Sequence, residues 1–172
     1  MQQQFIEYSH AGTVLEGFLA SPAKAGERRP AVLVSHAWAG RDDFVIDKAK
    51  ALAGLGYAAF ALDNYGKGVL GANNEENSKL IGPFMADRAL LRERLLAGLE
   101  TLRAQPGVDP DRIAIMGYCF GGLCALDLAR SGADIRGAIS FHGLLLPKGL
   151  DPRPIKASVP ALPASAAPTA PP

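Results

Sequence analysis

Only two cysteines, three histidines and one tryptophan occur among the 172 residues. No apolar run approaches the roughly 18 residues that span a bilayer, so no membrane span is expected. The start, M-Q-Q-Q-F-I-E-Y-S-H, lacks the basic then apolar layout of a signal peptide, which makes a cytoplasmic protein the expectation. There is no excess charge of either sign. The formal net charge is +1 and Lys and Arg are scattered among acids, so neither nucleic acid nor an anionic membrane surface has an electrostatic footprint to bind. Cys119 and Cys124 lie five apart where the second already falls in a helix, so they point to different sides of it. A disulfide between them is not expected, and two cysteines without clustered histidines exclude a zinc site. Neither a metal nor another cofactor is expected.

What is present is enough apolar material for one folded domain, 48% hydrophobic against 20% charged. The most informative stretch is Ile113 to Gly122, I-A-I-M-G-Y-C-F-G-G. Four apolar residues suit a strand buried on both faces. They lead into a glycine-flanked Cys119, after which Leu123, Ala125, Leu126 and Leu128 read as a helix. The spacing G-x-C-x-G is the cysteine version of the G-x-S-x-G nucleophile elbow. An elbow residue sits in a strained conformation at the tip of a strand, and its neighbours must be nearly free of side chain for strand and helix to approach. Gly117, Gly121 and Gly122 supply that room. A buried structural cysteine is the plain alternative for Cys119.

In chain order, Phe5 to Tyr8 and Val14 to Leu19 read as an antiparallel hairpin with Gly12 near the bend. Ala31 to Ser35 reads as a central parallel strand ending in H-A-W-A-G. Asp42 or Asp43 offers an N-cap to a helix over Val45, Ala49 and Leu52, stopped by Gly54 and Gly56. Tyr57 to Leu62 is a further strand, ending in D-N-Y-G-K-G. The segment Gly66 to Pro83 is rich in Gly and Asn and reads as an excursion over the top of the sheet. A long helix is expected over about Phe84 to Ala104, with Leu91, Leu95, Leu99 and Leu102 as its buried stripe. The last strand, Arg136 to Phe141, ends in His142 and Gly143.

Strands alternating with helices predict an α/β fold with a doubly wound, mostly parallel sheet. Ligands on such sheets bind at the carboxyl ends of the strands, where H-A-W-A-G, D-N-Y-G, the elbow and F-H-G converge. The last sixteen residues carry five prolines, six alanines and no charge. Proline at that density excludes helix interiors and central strands, so residues 157–172 are expected to form a disordered tail after a domain of residues 1–156.

G-Y-C-F-G-G with V-D-P-D-R-I-A-I-M before it, H-A-W-A-G, D-N-Y-G-K-G and S-F-H-G together resemble the dienelactone hydrolase family of the α/β-hydrolase superfamily. The resemblance covers about Gln4 to Lys156. It implies an α/β-hydrolase fold lacking its last strands and helices, and hydrolysis of a small carboxylic ester or lactone by a Cys, His, Asp triad with Cys119 as nucleophile. The oxyanion hole implied is the backbone N–H of Phe120 with that of Trp38, Ala37 being the neighbouring candidate. His36, Tyr65 and His142 would line the substrate site, although packing is an equally good reading for Tyr65 and Trp38, and loop packing or a backbone hydrogen bond for His36.

Two departures from the family follow. Its lactone-cleaving members carry a glutamate after the third strand, where Ala37 stands here. The family's acid and histidine follow later strands, and this chain has only Asp127, Asp134 and Asp151 as acids after Cys119 before Phe141 or beyond it, none at the family's place. The composition changes near Val159, which suits a reading-frame shift, a natural truncation or a linker. Losing later strands would leave Arg136 to Phe141 as an apolar edge open to self-association. Besides the hydrolase, a non-catalytic remnant, a small-molecule-binding module and a redox-sensitive thiol protein remain open.

Overall fold

A computed structural model describes residues 1–145 and 153–162. Its framework is one mixed sheet. Strands β1 (Gln2–His10) and β2 (Thr13–Ser21) form the expected hairpin, turning through Ala11 and Gly12 at φ 48° and 77°. Two residues with positive φ make the tight hairpin turn whose twist matches the strands. β2 pairs antiparallel with β4 (Ala58–Ala61), and from there β3 (Arg29–Ser35), β5 (Val108–Tyr118) and β6 (Gly137–Phe141) continue in parallel.

One face of the sheet carries α1 (Asp43–Gly54), capped by Asp42, whose carboxylate accepts the Val45 N–H at 3.3 Å. Val45, Ala49 and Ala53 bury against Val32, Val34, Ala59, Ala61 and Met116. The other face carries α3 (Arg88–Arg103) and α4 (Phe120–Arg130). Its core is made of large side chains: Leu91, Leu95, Leu99 and Leu102 from α3 meet Leu33, Phe60, Ile113, Ile115 and Leu123. The doubly wound arrangement is therefore as expected, because alternating helix and strand with right-handed crossovers leaves few other solutions.

Two expectations are corrected. The segment 66–104 is not a loop followed by one helix: α2 (Asn74–Ala86) occupies much of the supposed excursion. Asn73 caps it by accepting the Glu76 N–H at 3.0 Å, while a Glu76 carboxylate oxygen reaches back to the Ala72 N–H. This reciprocal cap starts a helix despite the polar composition. Asp87 then ends α2 and begins α3, its side chain accepting the Ala89 and Leu90 N–H groups.

The second correction concerns the end of the chain. β6 is not a bare edge: β7 (Ala161–Leu162) pairs with it in parallel, and Ser158 bridges Gly137. The expected boundary after residue 156 therefore falls too early, since the sheet takes up residues as far as Leu162. Pro160 allows this because only its carbonyl is used, accepting the Ser140 N–H at 3.2 Å, and proline is tolerated on an edge strand where no donor is needed. Residues 163–172 of the expected tail, and Asp151, lie outside the described residues.

Candidate active site

Strand β5 delivers the chain to Cys119 at φ 55°, ψ −115°, a conformation that costs about 1–3 kcal/mol for a residue with a side chain. The surrounding structure holds it there. The Cys119 N–H donates to Phe141 O of β6 at 3.0 Å, and its carbonyl accepts from Gly122 N and Leu123 N at 3.0 and 3.2 Å. The glycines are required by backbone contact: a Cβ on Gly117 would lie 2.2 Å from Gly121 O, and one on Gly121 would lie 2.2 Å from Ser35 O. A Cβ on Gly122 would meet Ser140 Oγ at 2.6 Å.

Cys119 is half-buried at the start of α4, and Cys124 is buried one turn and more beneath it. Burial pushes the Cys124 thiol up to about 12. Asn64 Nδ2 approaches its sulfur at 3.8 Å. A protonated, enclosed thiol is chemically inert, which makes Cys124 structural, whereas Cys119 is partly exposed. The Phe120 N–H lies in the first turn of α4, where no intrahelical acceptor exists.

The loops after β3 and β4 form the opposite wall. His36 is fully buried, with Nδ1–H donating to Ala37 O at 2.6 Å and Nε2 accepting the Asn64 N–H at 3.1 Å. Burial holds this imidazole below its ordinary pKa, partly offset by the hydrogen bond to Ala37 O. Both ring nitrogens are committed to backbone, so His36 presents no atom to a ligand in this arrangement. Tyr65 is buried as well; its O–H donates to Trp38 O at 3.0 Å, and burial raises its phenol above the usual range. Its ring meets His36 at 4.7 Å and stacks on Phe120 at 6.0 Å. Trp38 packs half-buried against the core.

His142 is exposed at the end of β6 with φ 45°, its N–H donating to Leu162 O at 2.8 Å. His10 closes β1 and its Nδ1 accepts the Arg94 Nε–H at 3.3 Å. Asp127 is fully buried and pairs with Arg88, whose Nε donates to it at 2.7 Å, and with Arg130. Asp134 lies before β6, at its amino end. Among the described residues, no three His, Cys, Asp or Glu side chains gather as metal ligands would.

Sequence reasoning missed the frame behind the site. Asp63, 1% exposed, accepts Tyr65 N and Gly66 N at 2.8 and 3.0 Å and the Glu16 N–H at 3.1 Å, fixing the turn after β4. Arg94 completes it by donating to Asn64 O at 3.0 Å. The signals were present: D-N-Y-G is an Asx-turn pattern, and Arg94 sits beside Leu95 on the apolar stripe of α3.

Parallel strands with a strained, glycine-packed cysteine at a strand tip define an α/β-hydrolase architecture. The model of the dienelactone hydrolase family matches residues 15–168, and the chain belongs to that family. In Bradyrhizobium sp. a protein named "Probable 2-oxo-3-(5-oxofuran-2-ylidene)propanoate lactonase" is 34% identical over 129 residues, covering 74% of this chain and 51% of its own length. Among solved structures, m3DLH is 37% identical with a TM-score of 0.89, covering 98% of this chain and 70% of that one. A dienelactone hydrolase-like promiscuous phosphotriesterase from metagenomic libraries is 32% identical, again with a TM-score of 0.89 and coverages of 98% and 70%. The chain thus spans about half the length of the curated relatives it matches. No helix among the described residues is long and apolar enough to cross a membrane.

Proposed function

We propose that the chain carries the acyl-transfer half of a carboxylic ester or lactone hydrolase. Cys119 is the nucleophile. Its sulfur attacks the substrate carbonyl, the carbonyl oxygen takes the negative charge, and the C–O bond to the leaving group then breaks. The thiol proton ends on the departing alkoxide, leaving a thioester on Cys119 that water must hydrolyse. The N–H groups of Phe120 and Trp38 are the oxyanion donors, and the exposed His142 borders the substrate. The observation that carries this reading is the elbow itself: φ 55° at Cys119, maintained by three glycines whose Cβ positions are filled by backbone or buried side-chain atoms. A structural cysteine gives no reason for that strain.

Deacylation needs a general base to activate water. The described residues offer no histidine bonded to Cys119, and Asp127 is committed to Arg88 and Arg130. The reading therefore predicts a fast acylation burst with slow or absent turnover. No cofactor takes part, the substrate is a small ester or lactone, and the setting is the cytoplasm. The rival is a thiol-bearing binding module or remnant, with a redox-sensitive thiol as its variant.

Mixing the protein with p-nitrophenyl acetate at substrate excess separates them. A burst of one p-nitrophenol per chain, absent in Cys119→Ala and retained in Cys124→Ala, is the expected result. No Cys119-dependent burst would overturn the hydrolase reading in favour of the binding module. An activated phosphotriester extends the same assay to the chemistry named for one structural neighbour.

A further inference from the structure

The peptide unit joining Ala37 to Trp38 is held by one buried ring, and the next unit by another. The Ala37 carbonyl accepts the His36 Nδ1–H at 2.6 Å and the Gly40 N–H at 3.2 Å. The peptide is trans, so its C=O and N–H point to opposite sides of the chain. Fixing the carbonyl against His36 therefore turns the Trp38 N–H away from that ring. The following unit is fixed through the Trp38 carbonyl, which accepts the Tyr65 O–H at 3.0 Å. With a plane set on each side, Trp38 has little backbone freedom left.

The two rings are themselves anchored. His36 Nε2 accepts the Asn64 N–H at 3.1 Å, which requires a bare Nε2 and a proton on Nδ1. Enclosure of the imidazole favours the same neutral form. Tyr65 touches His36 edge to face at 4.7 Å and stacks on Phe120 at 6.0 Å and 19°, and the His36 and Phe120 rings are themselves 6.1 Å apart. One cluster of three rings thus joins the loop carrying the Trp38 N–H to the residue carrying the Phe120 N–H.

We propose that His36 and Tyr65 are positioning residues that aim the Trp38 N–H and brace Phe120, so that both donors meet the oxygen of a carbonyl attacked by Cys119. This rests on the hydrolase reading above. It replaces substrate contact as the role of both residues, since both His36 nitrogens are bonded to backbone and the Tyr65 O–H is spent on Trp38 O. Donors that stabilise an oxyanion are effective because they are aimed before the charge appears, and a small rotation of either peptide plane would spoil that aim.

Two reactions of the same thiol separate aiming from scaffolding. Acylation by p-nitrophenyl acetate develops an oxyanion; alkylation by iodoacetamide displaces iodide at a saturated carbon and develops none. Tyr65→Phe deletes one oxygen and keeps the stack, and His36→Leu deletes both ring hydrogen bonds. Each is expected to slow the acylation burst by about tenfold to a hundredfold, within the range found for loss of an oxyanion donor, while Cys119 alkylation stays within about twofold of wild type. His36→Asn, whose amide can donate to Ala37 O, should recover most of the loss.

Parallel falls in both reactions would mean a general disturbance of the elbow and overturn the proposal, as would an unchanged burst in Tyr65→Phe. That single-atom change keeps the test valid if His36→Leu fails to fold. A wild-type protein that alkylates at Cys119 but shows no ester burst would remove the hydrolase reading and this inference together. A wild-type burst with unaffected variants would remove only the inference.

Discussion

The two faces of the sheet are built differently. Under α3 and α4 the core is mostly leucine, isoleucine and phenylalanine, and it includes Tyr65 and Phe120 of the candidate site. Under α1 it is half alanine: Ala20, Ala49, Ala53, Ala59 and Ala61 with Phe18, Val32, Val34, Val45 and Met116. Small side chains let a single helix lie close to the strands, but α1 reaches only part of that face. Tyr118, Ile139 and Phe141 remain half-exposed beside it, with Tyr118 stacked on Phe141 at 4.8 Å and touched by Phe44 at 5.2 Å. The helix that starts at the elbow, α4, packs on the α3 side, while the α1 face adds Tyr118 and Phe141 beside Cys119. If the chain self-associates, this half-open apolar strip is a better candidate than the β6 edge that β7 covers.

The same substitution should have opposite signs on the two faces. Gly121→Ala drives a methyl into Ser35 O at 2.2 Å, backbone against backbone, and should destabilise by more than about 4 kcal/mol or abolish folding. Gly54→Ala at the end of α1 meets nothing within 4 Å and should stabilise by about 0.5 kcal/mol through helix propensity. Thermal unfolding followed by circular dichroism reads both. Equal effects would erase the contrast between the faces.

Carboxylates offer a second comparison. Asp127→Ala leaves Arg88 buried without its partner, the two side chains being 0% and 4% exposed, and should cost about 3–5 kcal/mol. Asp47→Ala on α1 breaks an exposed pair with Lys50 and should cost less than about 0.5 kcal/mol. Urea denaturation of the two variants sharpens the comparison if the first midpoint falls steeply and the second hardly moves.

The smallest expected effect is a pH slope. His36 binds its proton less readily folded than unfolded, where the value is 6.5, so the unfolded chain takes up the proton first as pH falls. Its contribution to stability is complete above about pH 6.5 and declines below it, down to the depressed folded pKa. Stability measured from pH 7.5 downward should lose that part of its slope in His36→Asn. An unchanged slope would place the titrating group elsewhere.

Much of this was legible in the sequence. The buried strands are plain apolar runs, the leucine stripe of α3 sits where its spacing puts it, and G-x-C-x-G announces the elbow because only glycine fits those backbone contacts. The helix α2 was hidden because its cap is made of the same Asn and Glu that read as loop. β7 was hidden by proline, whose carbonyl still pairs. The work of His36 and Tyr65 could not be read at all, since it depends on which way two backbone carbonyls face, and no residue pattern records that.

The pairing of β3 with β5 has a consequence in time. Ala31 lies opposite Ile113, with α1, β4, α2 and α3 between them in sequence, so closing that loop costs entropy before any of its contacts form. Gly121 can meet Ser35 only once this closure is complete. While the chain is being synthesised and gathered, Cys119 is an ordinary relaxed cysteine; its strained setting is acquired late, with the joining of the sheet's central pair.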